Sequence, residues 1–191
     1  MIQIESKLPA QGVTIFSVMS AMAQRLNALN MSQGFPDFPA PPALLDALTQ
    51  ATQDGFNQYA SGDGLLSLRE QLAQLFLQRD QLQLDPMNEI TITPGATIGL
   101  FSAIHAVVNL GDEVIVFDPS YDSYAPSVKL AGGIPVHIPL QTPHFNVDWN
   151  IVEQAINHKT RMIIVNTPHN PTGAIWSKQD WLQLIALIED K

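Results

Sequence analysis

The sequence predicts an α/β protein of three layers, α/β/α, built around a mainly parallel sheet. Three observations carry that prediction. From Glu89 onward, apolar β-type runs alternate with segments of helical periodicity, which is the mark of βαβ units whose crossover helices cover the sheet. The 191 residues are 46% hydrophobic and 14% charged, enough apolar material for a core and too much for a disordered chain. The β-type runs also end in polar, turn-forming residues, and sheets of this kind bind ligands beyond the carboxyl ends of their strands.

Taken in order, residues 1–30 read as an arm followed by a helix from Ile15 to Leu29, with Phe16, Met19, Met22, Ala23 and Leu26 at helical spacing. SQGFPDFPAPP (32–42) is a Gly/Pro-rich loop, and Pro41–Pro42 leads into a helix through Leu44, Leu45 and Leu48. NQYASGDG (57–64) is a second loop. Ser67 to Leu77 predicts an amphipathic helix with Leu68, Leu72, Leu75 and Phe76 facing inward. The alternating half follows: EITITPG as strand and turn, ATIGLFSAIHAVVN as helix, DEVIVFDPS as strand, and SYAPSVKLAGG as a helix with a glycine stop. IPVHIPL then reads as strand, VDWNIVEQAINH as helix, RMIIVNTP as strand and SKQDWLQLIALIEDK as helix.

Bulk properties exclude several function classes. A formal charge of −9 and a pI near 4.7 disfavour nucleic acid and anionic membranes as partners. With no cysteine there are neither disulfides nor thiolate metal sites. Glu5 and Pro9 stand where a signal peptide needs a cationic start and an apolar run, and no apolar run is long enough for a membrane span. The expected location is the cytoplasm.

Three strand ends carry the candidate chemistry. Gly95-Ala96-Thr97 sits between a strand and a helix, where backbone N–H groups and the Thr97 hydroxyl can approach an anion; a plain helix cap with a permissive glycine is the alternative. Tyr121, just past a strand end, can stack on a planar ring or be an ordinary half-buried tyrosine. Asn166 and Asn170 offer neutral donors and acceptors at fixed places, or serve Asx turns; Pro171 holds Asn170 extended. The five histidines follow no metal spacing, and only His169 lies beside the candidate site. Capping is the simplest account of Asp118 and Asp122.

In order along the chain, SQGFPDF (32–38), NQYA (57–60), ITITPGAT (90–97), GDEVIVFDPSYDSYAP (111–126) and NTPHNPTG (166–173) resemble the fold-type I enzymes that use pyridoxal 5′-phosphate. The nearest likeness is to the class I/II aminotransferases, in the methionine and kynurenine (glutamine) transaminase branch. The resemblance covers essentially the whole chain. It implies a large cofactor domain of the pyridoxal-phosphate-transferase type, with residues 1–45 as arm and small-domain segment and 46–191 as the first part of that large domain. It implies that Gly95, Ala96 and Thr97 hold the cofactor phosphate, that Tyr121 stacks on the pyridine ring, and that Asn170 bonds the ring hydroxyl oxygen. Asn166 lines the same pocket, Gly34 lies near the substrate carboxylate, and Tyr59 reaches the phosphate of a neighbouring subunit in a homodimer. Amino acid and 2-oxo acid are the implied substrates.

The same resemblance implies groups that this sequence does not show. The family's Schiff-base lysine, its pyridinium-binding aspartate and its carboxylate-binding arginine follow the NPTG motif at a distance that lies past residue 191. None of Lys7, Lys129, Lys159, Lys178 and Lys191 sits in the matching motif, so no catalytic residue is assigned. The expectation is an N-terminal half of an aminotransferase, inactive alone, with exposed apolar edges and low stability. A carbon–sulfur β-lyase on the same scaffold, or a non-catalytic binding module, are the alternatives.

Overall fold

The computed structural model describes residues 5–8, 12–34 and 36–189. Lys191, Pro9 of the arm and Phe35 of the SQGFPDF motif lie outside the described residues. The chain divides into two compact units, one comprising residues 13–94 and the other residues 95–191 with the first twelve residues.

The second unit is the expected α/β fold. Its strands are β1 (Glu113–Asp118), β2 (Ile134–Pro139) and β3 (Thr160–Ile164), in the order β2-β1-β3 with both pairings parallel. Its helices are α4 (Ala96–Val107), α5 (Tyr124–Leu130), α6 (Trp149–Ala155) and α7 (Lys178–Glu189). Side chains of a strand alternate between faces, and β1 buries both sets. Val114 and Val116 pack with Ile104 of α4 and with Tyr124 and Val128 of α5. Ile115 and Phe117 pack with Ile138, with Val152 of α6 and, in the same cluster, with Leu187 of α7. The three layers follow from that alternation: α4 and α5 on one face, α6 and α7 on the other.

The connection after β1 leads to β2 on one side, and the connection after β2 returns across β1 to β3 on the other. The strand order therefore reverses between β1 and β3, and a crevice opens at such a point beyond the carboxyl ends. Tyr121 follows β1 and Asn166 follows β3, which places both loops at that edge.

The first unit contains α1 (Ile15–Arg25), α2 (Pro42–Gln53) and α3 (Leu66–Asp80). Thr14 caps α1 through the N–H of Ser17, and Pro42 at the start of α2 fills a position whose N–H has no helical partner. α1 stops at Arg25 rather than Leu29, because Asn27 takes a left-handed φ of 48°. α3 runs on to Asp80, where Gln81 adopts φ 55°.

Two expectations fail here. Leu68 and Leu75 of α3 are exposed, and the buried residue of the helix is Arg69. Its guanidinium donates from Nε to the Gly64 carbonyl at 3.2 Å and from one terminal nitrogen to the Pro86 carbonyl at 2.7 Å. The charge is thus satisfied by loop carbonyls that no helical periodicity reveals. The run EITITPG, expected as a strand, forms no ladder among the described residues. Its alternation makes it strand-capable, but a strand needs a neighbour to bond, and the Ile92 N–H donates to the Asp63 carbonyl of the preceding loop instead (2.9 Å).

Candidate functional site

The site begins where α4 begins. Gly95 stands at the N-cap of the helix with φ 84° and ψ 164°. A positive φ of this size favours glycine, while a Cβ there would meet nothing within 4 Å, so the backbone rather than packing demands the residue. The first N–H groups of a helix have no partner within it, and the helix dipole adds positive potential at that end. Thr97 stands in this first turn, exposed, with Oγ1 3.2 Å from the Tyr121 hydroxyl. The loop before α4 and the loop after β1 therefore meet, and two residues 24 positions apart share one polar spot.

Tyr121 is half-buried. Its ring packs on the core cluster of α4, α5 and β1 and edge-on against Tyr124, with centroids 5.7 Å apart. Tyr124 is buried, and that burial, followed by the nearby Tyr121 hydroxyl, raises its pKa above the usual tyrosine range. It is a buttress that the sequence reading missed; the Tyr-x-x-Tyr spacing across the start of α5 was the available signal.

The loop after β3 is held from within and at both ends. Asn166 accepts the Asn170 backbone N–H on Oδ1 at 2.7 Å, so the amide plane of Asn166 is fixed and its Nδ2 is left to donate elsewhere. The His169 N–H donates to the Ala174 carbonyl (2.8 Å), and the Gly173 N–H to the His169 carbonyl (2.7 Å). Thr167 Oγ1 accepts the Trp176 N–H at 3.0 Å. Trp176 in turn meets Phe117, Trp149 and Trp181 edge-on at centroid distances of 5.2 to 5.5 Å. The loop is thus anchored on a packed aromatic cluster, and Asn170 is presented on its exposed side.

Other candidates belong to other segments of the chain. Gly34 and Tyr59 belong to the unit of residues 13–94, each exposed on its own loop. Asp118 is not a helix cap: its Oδ2 lies 2.7 Å from Nδ1 of His137, across the β1–β2 pairing. Residues of adjacent parallel strands make that contact, and their separation in sequence hides it. Among the described residues no cluster of acidic or histidine side chains could hold a metal ion, and no helix is long and apolar enough to cross a membrane. A separate groove of about 420 Å³ lies along β3 and α7, between Ile156, Met162, Leu184 and Ile188. It shares no residue with the strand-end loops, and Asn157, His158, Thr160 and Arg161 line it beside the apolar side chains.

Residues 27–191 match the profile of the family described as aminotransferase class I and II. The chain belongs to the class I and II aminotransferases. It is 49% identical over 180 residues to the methionine aminotransferase of Escherichia coli K12, which covers 94% of this chain and 47% of that enzyme. It is 40% identical to kynurenine–oxoglutarate transaminase 3 of Rattus norvegicus, over 84% of this chain and 37% of the relative. Among solved structures, the Escherichia coli methionine aminotransferase superposes with a TM-score of 0.95 at 47% identity, over 100% of this chain and 50% of that one. The N-succinyldiaminopimelate aminotransferase of Mycobacterium tuberculosis follows at 0.91 and 37%, over 97% and 49%. The chain spans about half the length of the curated relatives it matches. Members of this aminotransferase family use pyridoxal 5′-phosphate.

Proposed function

We propose that this chain forms the phosphate- and ring-binding half of a pyridoxal-phosphate-dependent aminotransferase. In the whole enzyme the reaction moves an amino group from a methionine-like or aromatic amino acid to a 2-oxo acid. The single observation that carries the reading is the meeting of Thr97 and Tyr121 at the start of α4, beside the strand end that presents Asn166 and Asn170. An anion-accepting helix start, an aromatic plane and fixed amides are the three kinds of contact that a flat, phosphorylated pyridine requires.

In this reading the backbone of Gly95, Ala96 and Thr97 receives the phosphate, with the Thr97 hydroxyl as a further donor. Tyr121 offers its ring face and is kept from tilting by Tyr124. Asn170 donates to the oxygen on the ring, and Asn166 lines the same wall with its amide already oriented by Asn170. Gly34 lies near the substrate carboxylate, and Tyr59 reaches the phosphate of a second subunit in a homodimer. Residues 1–45 serve as arm and small-domain segment and 46–191 as the first part of the large cofactor domain. The location is cytoplasmic. When bound, the cofactor supplies an aldehyde and an electron-withdrawing ring that carry the amino group between substrates. The chain's own part is positioning, and misplacement of bound groups is costly to such chemistry. The substrate preference rests on the methionine and kynurenine transaminases among the relatives.

Binding of pyridoxal 5′-phosphate to the 191-residue chain, followed by its absorbance, tests the pocket. Thr97→Ala, Tyr121→Ala and Asn170→Ala are each expected to weaken binding about tenfold, the loss of one good contact of roughly 1.4 kcal/mol. Equal binding by all three variants would overturn the assignment. In the intact enzyme, methionine-dependent amination of a 2-oxo acid marks the transferase, whereas release of ammonia and a 2-oxo acid marks a carbon–sulfur lyase.

A further inference from the structure

Among the described residues, Arg69 is the one buried side chain that carries a fixed charge, with 4% of its surface accessible. It forms no ion pair there; the pairs present are Arg79 with Asp80 and His137 with Asp118. A guanidinium taken from water without a counter-charge is costly to keep, so the bonds it makes instead have to account for its place. Those bonds join two separate segments. Nε–H donates to the Gly64 carbonyl at 3.2 Å, while Nη1 donates to the Pro86 carbonyl at 2.7 Å and to the Met87 carbonyl at 3.4 Å. Because the guanidinium is planar and its donors form a fixed fork, it holds the two segments at a set spacing.

Both sides of this clamp are closed upon themselves. Gly64 ends the loop that carries Tyr59; its N–H donates to the Ser61 carbonyl (2.9 Å), and its carbonyl accepts the Ser61 hydroxyl as well (2.7 Å). On the other side, Asp85 accepts the Met87 N–H on Oδ1 (2.9 Å) and the Asn88 amide on Oδ2 (2.6 Å), and Glu89 accepts the Asp85 N–H (2.7 Å). The segments also touch directly. The Ile92 N–H donates to the Asp63 carbonyl at 2.9 Å, and a Cβ added at Gly64 would stand 2.5 Å from the Ile92 side chain. Apolar burial does not hold this region, since Arg69 is the only buried residue of α1, α2 and α3. Tyr59 is fully exposed, so its direction is set by the backbone on which it stands rather than by packing.

We propose that Arg69 is a positioning residue: it clamps the Tyr59 loop to residues 85–92, so that an exposed tyrosine is presented in one direction to the phosphate of a second subunit. The guanidinium does not meet the ligand and acts through the Gly64 carbonyl. The consequence for ligand binding rests on the reading of Tyr59 as a phosphate contact in a homodimer; the clamp itself does not.

The experiment compares the parent chain with Arg69→Met, which keeps the length of the stem without the donors, and Arg69→Lys, which keeps the charge without the fork. Amide hydrogen exchange is read at Gly64 and Ile92, with Leu48 of α2 as a reference in the same unit. Arg69→Met is expected to speed exchange at Gly64 and Ile92 about tenfold relative to Leu48, the loss of one charge-assisted bond. Arg69→Lys is expected to recover little of it, because a single ammonium cannot span both segments; as the milder change, it carries the same prediction should Arg69→Met unfold the unit. Affinity for pyridoxine 5′-phosphate, which has no aldehyde and so reports contacts alone, is expected to fall about fivefold in Arg69→Met and in Tyr59→Phe, and no further in the double variant. Unchanged exchange at Gly64 and Ile92, equal acceleration at Leu48, or full recovery by Arg69→Lys overturns the clamp. Losses that add in the double variant overturn its action through Tyr59. Failure of the parent chain to bind pyridoxine 5′-phosphate, or a Tyr59→Phe variant that binds as the parent does, sinks the cofactor reading, while the exchange pattern still decides the role of Arg69.

Discussion

The two compact units use their apolar residues differently. Around β1, residues from four helices and the two flanking strands bury both of its faces, and Val114, Ile115 and Val116 are wholly inaccessible. In the unit of residues 13–94, α1 and α2 have no buried residue, and Leu44, Leu48, Leu68 and Leu75 are exposed. Both units have helices with apolar residues at helical spacing. The difference lies in whether a second surface closes on the stripe: a sheet presents a broad face that several helices can cover, whereas α1 and α2 bury no residue and α3 buries only Arg69. An apolar periodicity in sequence therefore predicts a face, not its burial. Polar closure takes over where apolar closure is thin, as with Arg69 and its loop carbonyls.

Paired substitutions sharpen that contrast. Ile115→Ala removes buried methylenes from the packed centre and is expected to lower stability by about 2–5 kcal/mol, against less than about 1 kcal/mol for Leu75→Ala on α3. Urea denaturation of the two variants measures both; comparable losses would show that α3 is as tightly packed as the sheet. Glycine substitutions divide next. At Gly64, φ is +93° and an added Cβ would stand 2.5 Å from Ile92, so Gly64→Ala combines backbone strain with overlap and should cost about 2–4 kcal/mol. Gly95→Ala meets open space and carries only the backbone penalty of its glycine-only conformation, about 1–3 kcal/mol. Thermal melts that rank Gly95→Ala as the worse variant would contradict this.

The smallest effect concerns acidity. The His169 pKa is lowered in the fold, so the unfolded chain takes up a proton near pH 6.5 that the folded chain resists. The stability due to neutral His169 is therefore complete above pH 6.5 and declines as the pH falls below it. Asp180 has the opposite protection: burial would raise its pKa, but hydrogen bonds from Ser177 and Trp149 outweigh that and hold it low, so its contribution fades only below pH 3.8. Between pH 7 and 5, the parent chain should lose stability more steeply than His169→Phe. Parallel pH profiles would show that the imidazole is solvated.

Much of the candidate site's local geometry was legible because its residues are close in sequence. Gly95-Ala96-Thr97 and NTPHNPTG are contiguous, and their turn chemistry marks a helix start in the first case and the end of β3 in the second. The pair of Asp118 with His137 was hidden, since it joins two strands that only the sheet brings together, whereas the buttress Tyr124, three residues from Tyr121, had a local signal. The run 89–93 shows the same limit from the other side. Its alternation is that of a strand, yet its hydrogen bond goes to the Asp63 carbonyl in a loop.

By itself, the sequence determined the α/β class, the order of elements from Ala96 onward and the position of the polar, turn-forming loops, because periodicity and turn preference are properties of neighbouring residues. Only the tertiary structure decided that β1 is central, that Thr97 meets Tyr121, and that one histidine of five is buried. Those outcomes depend on which strand lies beside which, and parallel pairing across crossover helices is settled by how faces close over one another rather than by any short stretch of chain.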